Sequence, residues 1–191
     1  MQSYDPPREI ITIQEQIMPF SLIPDRIYSS IHSLSAKHLT AEGVKFVLVD
    51  LDNTLARYRQ RLPGEELVGW KESLQRAGIT VFLVSNSRKP ARPSLFCEEL
   101  GISFIGHAGK PKRGCFDQAL ARLDAQPEEC VMVGDQIFTD ILGANRAGIR
   151  SWLVMPVALD SLFRKLRYGI EGIFRAMCKD DRRQKAPVRS K

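Results

Sequence analysis

The chain has 191 residues, 43% hydrophobic and 26% charged, which is the balance of a folded globular domain with one sizeable core and room for one appendage. No stretch approaches the roughly 18 uninterrupted apolar residues of a transmembrane helix. The opening M-Q-S-Y-D-P-P-R-E carries acids and prolines where a signal peptide has a basic and then an apolar run, so a cytoplasmic protein is expected. Cys97, Cys115, Cys130 and Cys178 form no C-x-x-C pair, which argues against a zinc site or a disulfide framework. The net charge is +6, and residues 158–191 alone, with ten bases against four acids, carry all of it.

Along the chain, Glu9–Met18 reads as a strand or the start of a helix, interrupted by Pro19 and Pro24. Ile27, Ile31 and Leu34 recur at helical spacing, so a short helix from Asp25 to Leu34 is expected, with a second after Thr40 ending at Gly43. Residues 1–43 are expected to form an N-terminal extension packed beside the first strand.

Val44–Val49 is a β-branched and apolar run that fits a strand buried on both faces. A helix over Pro63–Ala77 follows, then a strand Ile79–Val84 and a helix Ala91–Leu100. Next come a strand Ser103–Ile105, a helix Gly114–Leu123 and a strand Cys130–Val133. A helix Ile137–Ala147 and a strand Arg150–Met155 complete the series. Strands alternating with helices through short loops predict a doubly wound, Rossmann-like parallel α/β sheet with helices on both faces.

Each polar cluster falls just after a strand. Asp50 and Asp52 follow the first, Ser85 and Asn86 the second, Lys110 the third, and Asp135 with Asp140 the fourth. In a parallel sheet these ends share one edge, where such sheets bind ligands. Taken alone, D-L-D-N-T is also a plausible Asx-rich turn. The whole set suits phosphoryl transfer: a carboxylate attacks phosphorus, a second acid protonates the leaving alkoxide and activates water, and a lysine and a hydroxyl hold phosphoryl oxygens. Several carboxylates around one point call for a hard cation such as Mg²⁺.

The order D-L-D-N-T, V-S-N, G-K-P and G-D-Q-I-F-T-D resembles the haloacid dehalogenase (HAD) superfamily. The resemblance implies Asp50 as nucleophile and Asp52 as acid/base, with Lys110 bridging phosphate and nucleophile. Ser85 and Asn86 would bind phosphate. Asp50, Asp135 and the backbone carbonyl of Asp52 would hold Mg²⁺, supported by Thr54 and Asp140. An acid at Asp52 is similar to the phosphatase branch. Lys112 competes for the lysine role, but the G-K-P context favours Lys110; Lys112, Arg113 and His107 read as loop residues, and no motif surrounds His32 or His38.

About 30 residues separate Asp52 from Ser85 and about 25 separate Ser85 from Lys110, too few for an inserted cap domain, so an open site is expected. From Leu159 to Met177, apolar residues at spacings of 3 and 4 alternate with Arg164, Lys165, Arg167, Arg175 and Lys179. This is either a last helix packed on the sheet with its bases in water, or an amphipathic helix lying on anionic lipid, followed by a flexible tail. Without exposed aromatic stacking residues, no nucleic-acid partner is expected.

L-I-P-D, V-D-L-D-N-T-L, G-K-P and V-G-D-Q-I-F-T-D-I-L-G-A-N-R-A-G together resemble the YqeG-type phosphatases of HAD subfamily IIIA. That group is related to mitochondrial phosphatidylglycerophosphate phosphatase. The resemblance implies hydrolysis of phosphatidylglycerophosphate to phosphatidylglycerol by a Mg²⁺-dependent enzyme at the inner membrane face, with a phospholipid substrate and possible oligomerisation. The alternatives are a soluble phosphatase for sugar phosphates or nucleic-acid ends, and a non-catalytic binding protein. Arg57, Tyr58 and Arg59 follow the first motif and either contact an anionic headgroup or line the surface.

Overall fold

The computed structural model describes residues 20–87, 91–159 and 161–183, so the reading of Glu9–Met18 and the last eight residues lie outside it. Six strands form one all-parallel sheet: β1 (Arg26–Tyr28), β2 (Phe46–Val49), β3 (Thr80–Val84), β4 (Ser103–Ile105), β5 (Cys130–Gly134) and β6 (Arg150–Val154). Their order across the sheet is β1-β6-β5-β2-β3-β4. The chain moves outward from β2 through β3 to β4, then returns to β2's other side for β5. The switch point of the topology therefore lies between β2 and β5, with Val49 opposite Val133.

The helices are α1 (Ala36–Ala41), α2 (Glu65–Arg76), α3 (Ala91–Leu100), α4 (Gly114–Leu123), α5 (Leu142–Ala147), α6 (Leu162–Ile170) and α7 (Gly172–Ala176). Side-chain alternation along β2 builds two cores. Val47 and Val49 pack with Leu67, Trp70, Leu74 and Phe96 of α2 and α3 on one face, and Leu48 packs with Phe116 and Ala119 of α4 and Ala144 of α5 on the other. Acids at Glu65 and Glu66 and a base at Arg76 match the dipole of α2. Trp70 donates from Nε1 to the Leu34 carbonyl (2.8 Å), fastening the N-terminal segment to this layer.

The expected helix over Asp25–Leu34 is instead the edge strand β1 followed by a 3₁₀ turn at Ile31–Ser33. Parallel pairing of β1 with β6 outweighs a helical spacing carried by only three apolar residues. The segment thus joins the sheet beside its last strand rather than the first. The helix expected after Thr40 begins earlier, at Ala36, because the Ser35 hydroxyl accepts the His38 N–H as an N-cap. The tail also departs from expectation. Ile27 donates to the Asp180 carbonyl (3.2 Å) and Arg182 to the Ile27 carbonyl (2.8 Å), so residues 180–182 cover the open edge of β1 instead of hanging free.

No helix among the described residues is long and apolar enough to cross a membrane.

Candidate active site

Asp50 continues the ladder of β2, donating its N–H to the Val133 carbonyl (3.0 Å), which holds its buried carboxylate at the switch point. The chain then turns sharply. Asn53 takes a left-handed conformation (φ 66°), which Asn tolerates better than most residues. Its N–H donates to the Ala56 carbonyl (2.8 Å) and its carbonyl accepts the Val157 N–H (2.9 Å). This tied loop leaves Asp52 half-buried beside Asp50, while Thr54 is buried with its hydroxyl 3.5 Å from Asp135 Oδ1.

Lys110 is buried, and its Nζ lies 2.7 Å from Asp50 Oδ1, 2.7 Å from Asp140 Oδ1 and 2.6 Å from the Val84 carbonyl. Burial alone would lower its pKa, but the charges of Asp140 and Asp50 more than offset this and raise it, so the amine stays protonated. Asn86 clamps the lysine's backbone: its Oδ1 accepts the Lys110 N–H (2.8 Å) and its Nδ2 donates to the Lys110 carbonyl (3.0 Å). The amide expected beside a phosphate thus aims the lysine. Ser85 is buried at the end of β3, its hydroxyl accepting the Ser87 N–H (3.1 Å). Lys112 and His107 are exposed; Arg113 pairs with Asp117 (2.9 Å) on the surface.

Asp135 follows β5. Asp140 sits on a π-helical turn, Ile137–Ile141, at the start of the segment expected to be regular helix throughout, and its Oδ2 accepts the Gln136 N–H (3.1 Å). Gly134 makes this approach possible, because a Cβ there would overlap the Asp140 carboxylate. Carboxylate oxygens of Asp50, Asp135 and Asp140, all buried, lie within 4.8 Å of one another. Burial, then the charges of Asp50 and Asp140, push Asp135 well above the usual carboxylate range. Burial raises Asp140 to about 6 against the opposing pull of Lys110.

If all three carboxylates were ionised they would exceed the one ammonium by two charges, the repulsion that helps to raise Asp135 and Asp140, and Asp50 Oδ2 is buried with no hydrogen-bond partner. The donor set therefore fits a divalent, oxygen-seeking cation. Asp140 belongs to the cluster itself, closer to the centre than a supporting role implies.

Arg92, the second residue of α3, had no sequence signal among the motifs. Its Nη1 lies 2.5 Å from Asp52 Oδ1, and it donates from Nε to the Gln60 carbonyl (2.8 Å) and from Nη2 to the Arg57 carbonyl (2.9 Å). Burial raises the Asp52 pKa, and Arg92 opposes that rise. One cue was available: a base in the first turn opposes the helix dipole, so a position there calls for a local partner.

The short gaps leave no cap among the described residues, yet the site is not open on every side. A cavity of about 880 Å³ rises from Asp50, Asp52, Ser85 and Lys110, and Ser161, Phe163, Arg164 and Arg167 at the start of α6 form one wall. The polar face of α6–α7 points inward. Arg167 donates to Gln136 Oε1 (2.8 Å), the buried Glu171 accepts the Ile137 N–H (3.0 Å), and Arg175 is buried against Tyr168. The apolar face points outward, with Leu162 83% and Ile173 67% exposed, and Leu166, Ile170 and Met177 exposed as well. Of the two expected readings, a packed helix with its bases in water does not describe α6, which turns Arg167 inward and Leu162, Leu166 and Ile170 outward, while Phe174 of α7 packs on Ile137 and Ile141.

A HAD-hydrolase-like family model matches residues 107–156. The chain is 39% identical to the probable phosphatase YqeG of Bacillus subtilis, in an alignment spanning 71% of this chain and 78% of that one. It is 29% identical to the mitochondrial phosphatidylglycerophosphatase GEP4 of Saccharomyces cerevisiae, over 69% of this chain and 80% of that protein. It is 26% identical to phosphatidylglycerophosphate phosphatase 1, chloroplastic/mitochondrial, of Arabidopsis thaliana, over 78% of this chain but only 44% of that protein. An identity of this extent, on a parallel sheet whose strand ends gather four acids and a lysine, means that the chain belongs to the HAD superfamily, among its YqeG-type phosphatases.

Proposed function

We propose that the protein hydrolyses the terminal phosphomonoester of phosphatidylglycerophosphate, giving phosphatidylglycerol, while resting on an anionic membrane surface. The observation that carries this reading is the inverted helix α6: one face walls the site while the other presents Leu162, Leu166, Ile170 and Ile173 to the surroundings. Such an apolar face suits the headgroup–acyl boundary, and Lys165 and Lys179, both exposed, suit anionic lipid. The names of the yeast and Arabidopsis relatives support the same substrate.

In this mechanism Asp50 attacks phosphorus and forms an aspartyl-phosphate, while Asp52 protonates the departing alkoxide. Asp52, now a carboxylate, then takes a proton from the water that cleaves the acyl-phosphate. Its raised pKa, with Arg92 preventing a larger rise, suits a group that must both give and take a proton. Lys110 holds Asp50 in place and neutralises charge on the phosphoryl oxygens; the Ser85 hydroxyl donates to one of them, and Asn86 keeps the lysine aimed. Asp50, Asp135 and the Asp52 backbone carbonyl, with Asp140 beside them, would hold Mg²⁺, which supplies neutralisation of the phosphate dianion facing the nucleophile.

Purified protein assayed on phosphatidylglycerophosphate in mixed micelles should release phosphate only with Mg²⁺ present. No release, or faster turnover of sugar phosphates or nucleic-acid ends than of the lipid, would overturn the substrate claim.

A further inference from the structure

The cavity is lined by two chemically distinct sets of side chains. At its floor the acids Asp50 and Asp52 meet Lys110 and Ser85, the groups needed to process one phosphomonoester. The wall formed by α6 and the loop after Asp52 carries Arg59, Arg164 and Arg167. The arginines are held in place. Arg164 stacks 4.9 Å over the Tyr58 ring, and Arg167 is fixed by Gln136 Oε1 at 2.8 Å.

Arginine placed inward is costly on a helix whose apolar residues lie in water, since the opposite orientation would bury Leu162, Leu166 and Ile170. The contacts of Arg167 and Glu171 dock this face, and they leave Arg164 and Arg167 lining the cavity beside Arg59. Guanidinium groups fixed by stacking and a hydrogen bond are suited to planar recognition of phosphate oxygens. A cavity of about 880 Å³ also has far more room than a single phosphomonoester fills.

We infer that Arg164 and Arg167, with Arg59 and Tyr58 beside them, form a second anion subsite that binds a phosphodiester while the floor processes the phosphomonoester. This deepens the phosphatase reading and rests on it: the subsite selects substrates in which a second phosphate accompanies the scissile one. The diester is either the substrate's own or the headgroup of a neighbouring anionic lipid. The exposed Arg59 completes the subsite from the loop side, which explains a basic R-Y-R run directly after the catalytic turn.

The test compares two water-soluble probes with Mg²⁺ present: glycerol 3-phosphate, with one phosphomonoester, and glycerophosphoglycerol phosphate, with a phosphodiester beside the same monoester. The wild type should show a kcat/KM ratio of at least tenfold in favour of the two-phosphate probe, expressed through KM and diminishing with added salt. Arg164→Gln and Arg167→Gln should each cut that ratio, the double variant should bring it close to one, and Arg164→Lys should restore part of it. Arg59→Gln, in an exposed loop, tests the same ratio where loss of the Gln136 contact could disturb α6.

A wild-type ratio near one, with glycerol 3-phosphate hydrolysis stimulated by phosphatidylglycerol vesicles and that stimulation lost in the arginine variants, would support the subsite and identify a neighbouring headgroup as its ligand. Equal effects of the variants on both probes, with no vesicle stimulation, would overturn the subsite while leaving the phosphatase reading intact. Failure of that reading would appear separately, as no hydrolysis of either probe that Asp50→Asn abolishes.

Discussion

Lys110 Nζ lies 2.7 Å from Asp50 Oδ1, although 60 residues separate the two in sequence and both side chains are buried. The lysine is also 2.7 Å from Asp140, so it neutralises part of an acid cluster that would otherwise repel itself. Lys110→Met should lower kcat/KM by about 10² or more. Removing one partner of a buried ion pair should also cost about 3–5 kcal/mol of stability, readable by chemical denaturation. Asp50→Asn should abolish turnover and keep the fold, since Asn can still accept from Lys110.

Gly134→Ala tests the close approach of β5 to the Asp140 carboxylate. The added methyl must displace Asp140 and with it the ion pair to Lys110. Activity should fall at least tenfold, with a loss of about 1–3 kcal/mol as for an overpacked core. An active Gly134→Ala enzyme would show that Asp140 is not needed where it stands.

The proposed Mg²⁺ site ties metal binding to pH. Asp140 is raised to about 6 in the metal-free protein, so the fold binds its proton more tightly than the unfolded chain does. Metal-free stability should therefore be highest in mild acid and fall as pH rises from about 4 to about 6. Metal binding needs the carboxylates ionised, so apparent Mg²⁺ affinity should weaken below about pH 6. A thermal shift on adding Mg²⁺ that is large at pH 7.5 and small at pH 5 is the expected result.

Arg92 acts through Asp52. Because it opposes the burial that raises the Asp52 pKa, Arg92→Gln should move the Asp52-controlled limb of the pH–rate profile upward. It should also lower kcat about tenfold or more, as the acid/base group loses its orientation. A profile that scales down without moving would assign Arg92 a purely structural part.

The outer face of α6 is separable from the catalytic floor. Leu166→Gln with Ile170→Gln replaces exposed side chains, so stability should change by about 0.5 kcal/mol or less. Binding to phosphatidylglycerol vesicles should fall at least tenfold in a flotation assay. Unchanged flotation would remove the membrane from the proposal.

Much of this was legible along the chain. The apolar runs ending in Asp50, Ser85 and Asp135 specify buried parallel strands, and such strands bring their C-terminal ends to one edge whatever the details of packing. Arg92 was not legible, because its role depends on a contact between α3 and a loop 40 residues earlier. Nor was β1: three residues carry too little pattern to outvote a helical spacing, and the pairing with β6 that decides the matter is invisible before the chain folds.

For α6 the division is plain. That residues 162–177 are amphipathic can be read along the chain, since 3.6-residue periodicity is a local property of side-chain order. Which face turns inward depends on contacts made across the fold. Glu171 satisfies the backbone N–H groups of Ile137 and Phe138, and Arg167 binds Gln136, both on the segment that carries Asp140. Those polar contacts dock the charged face on the site and leave the apolar face outside.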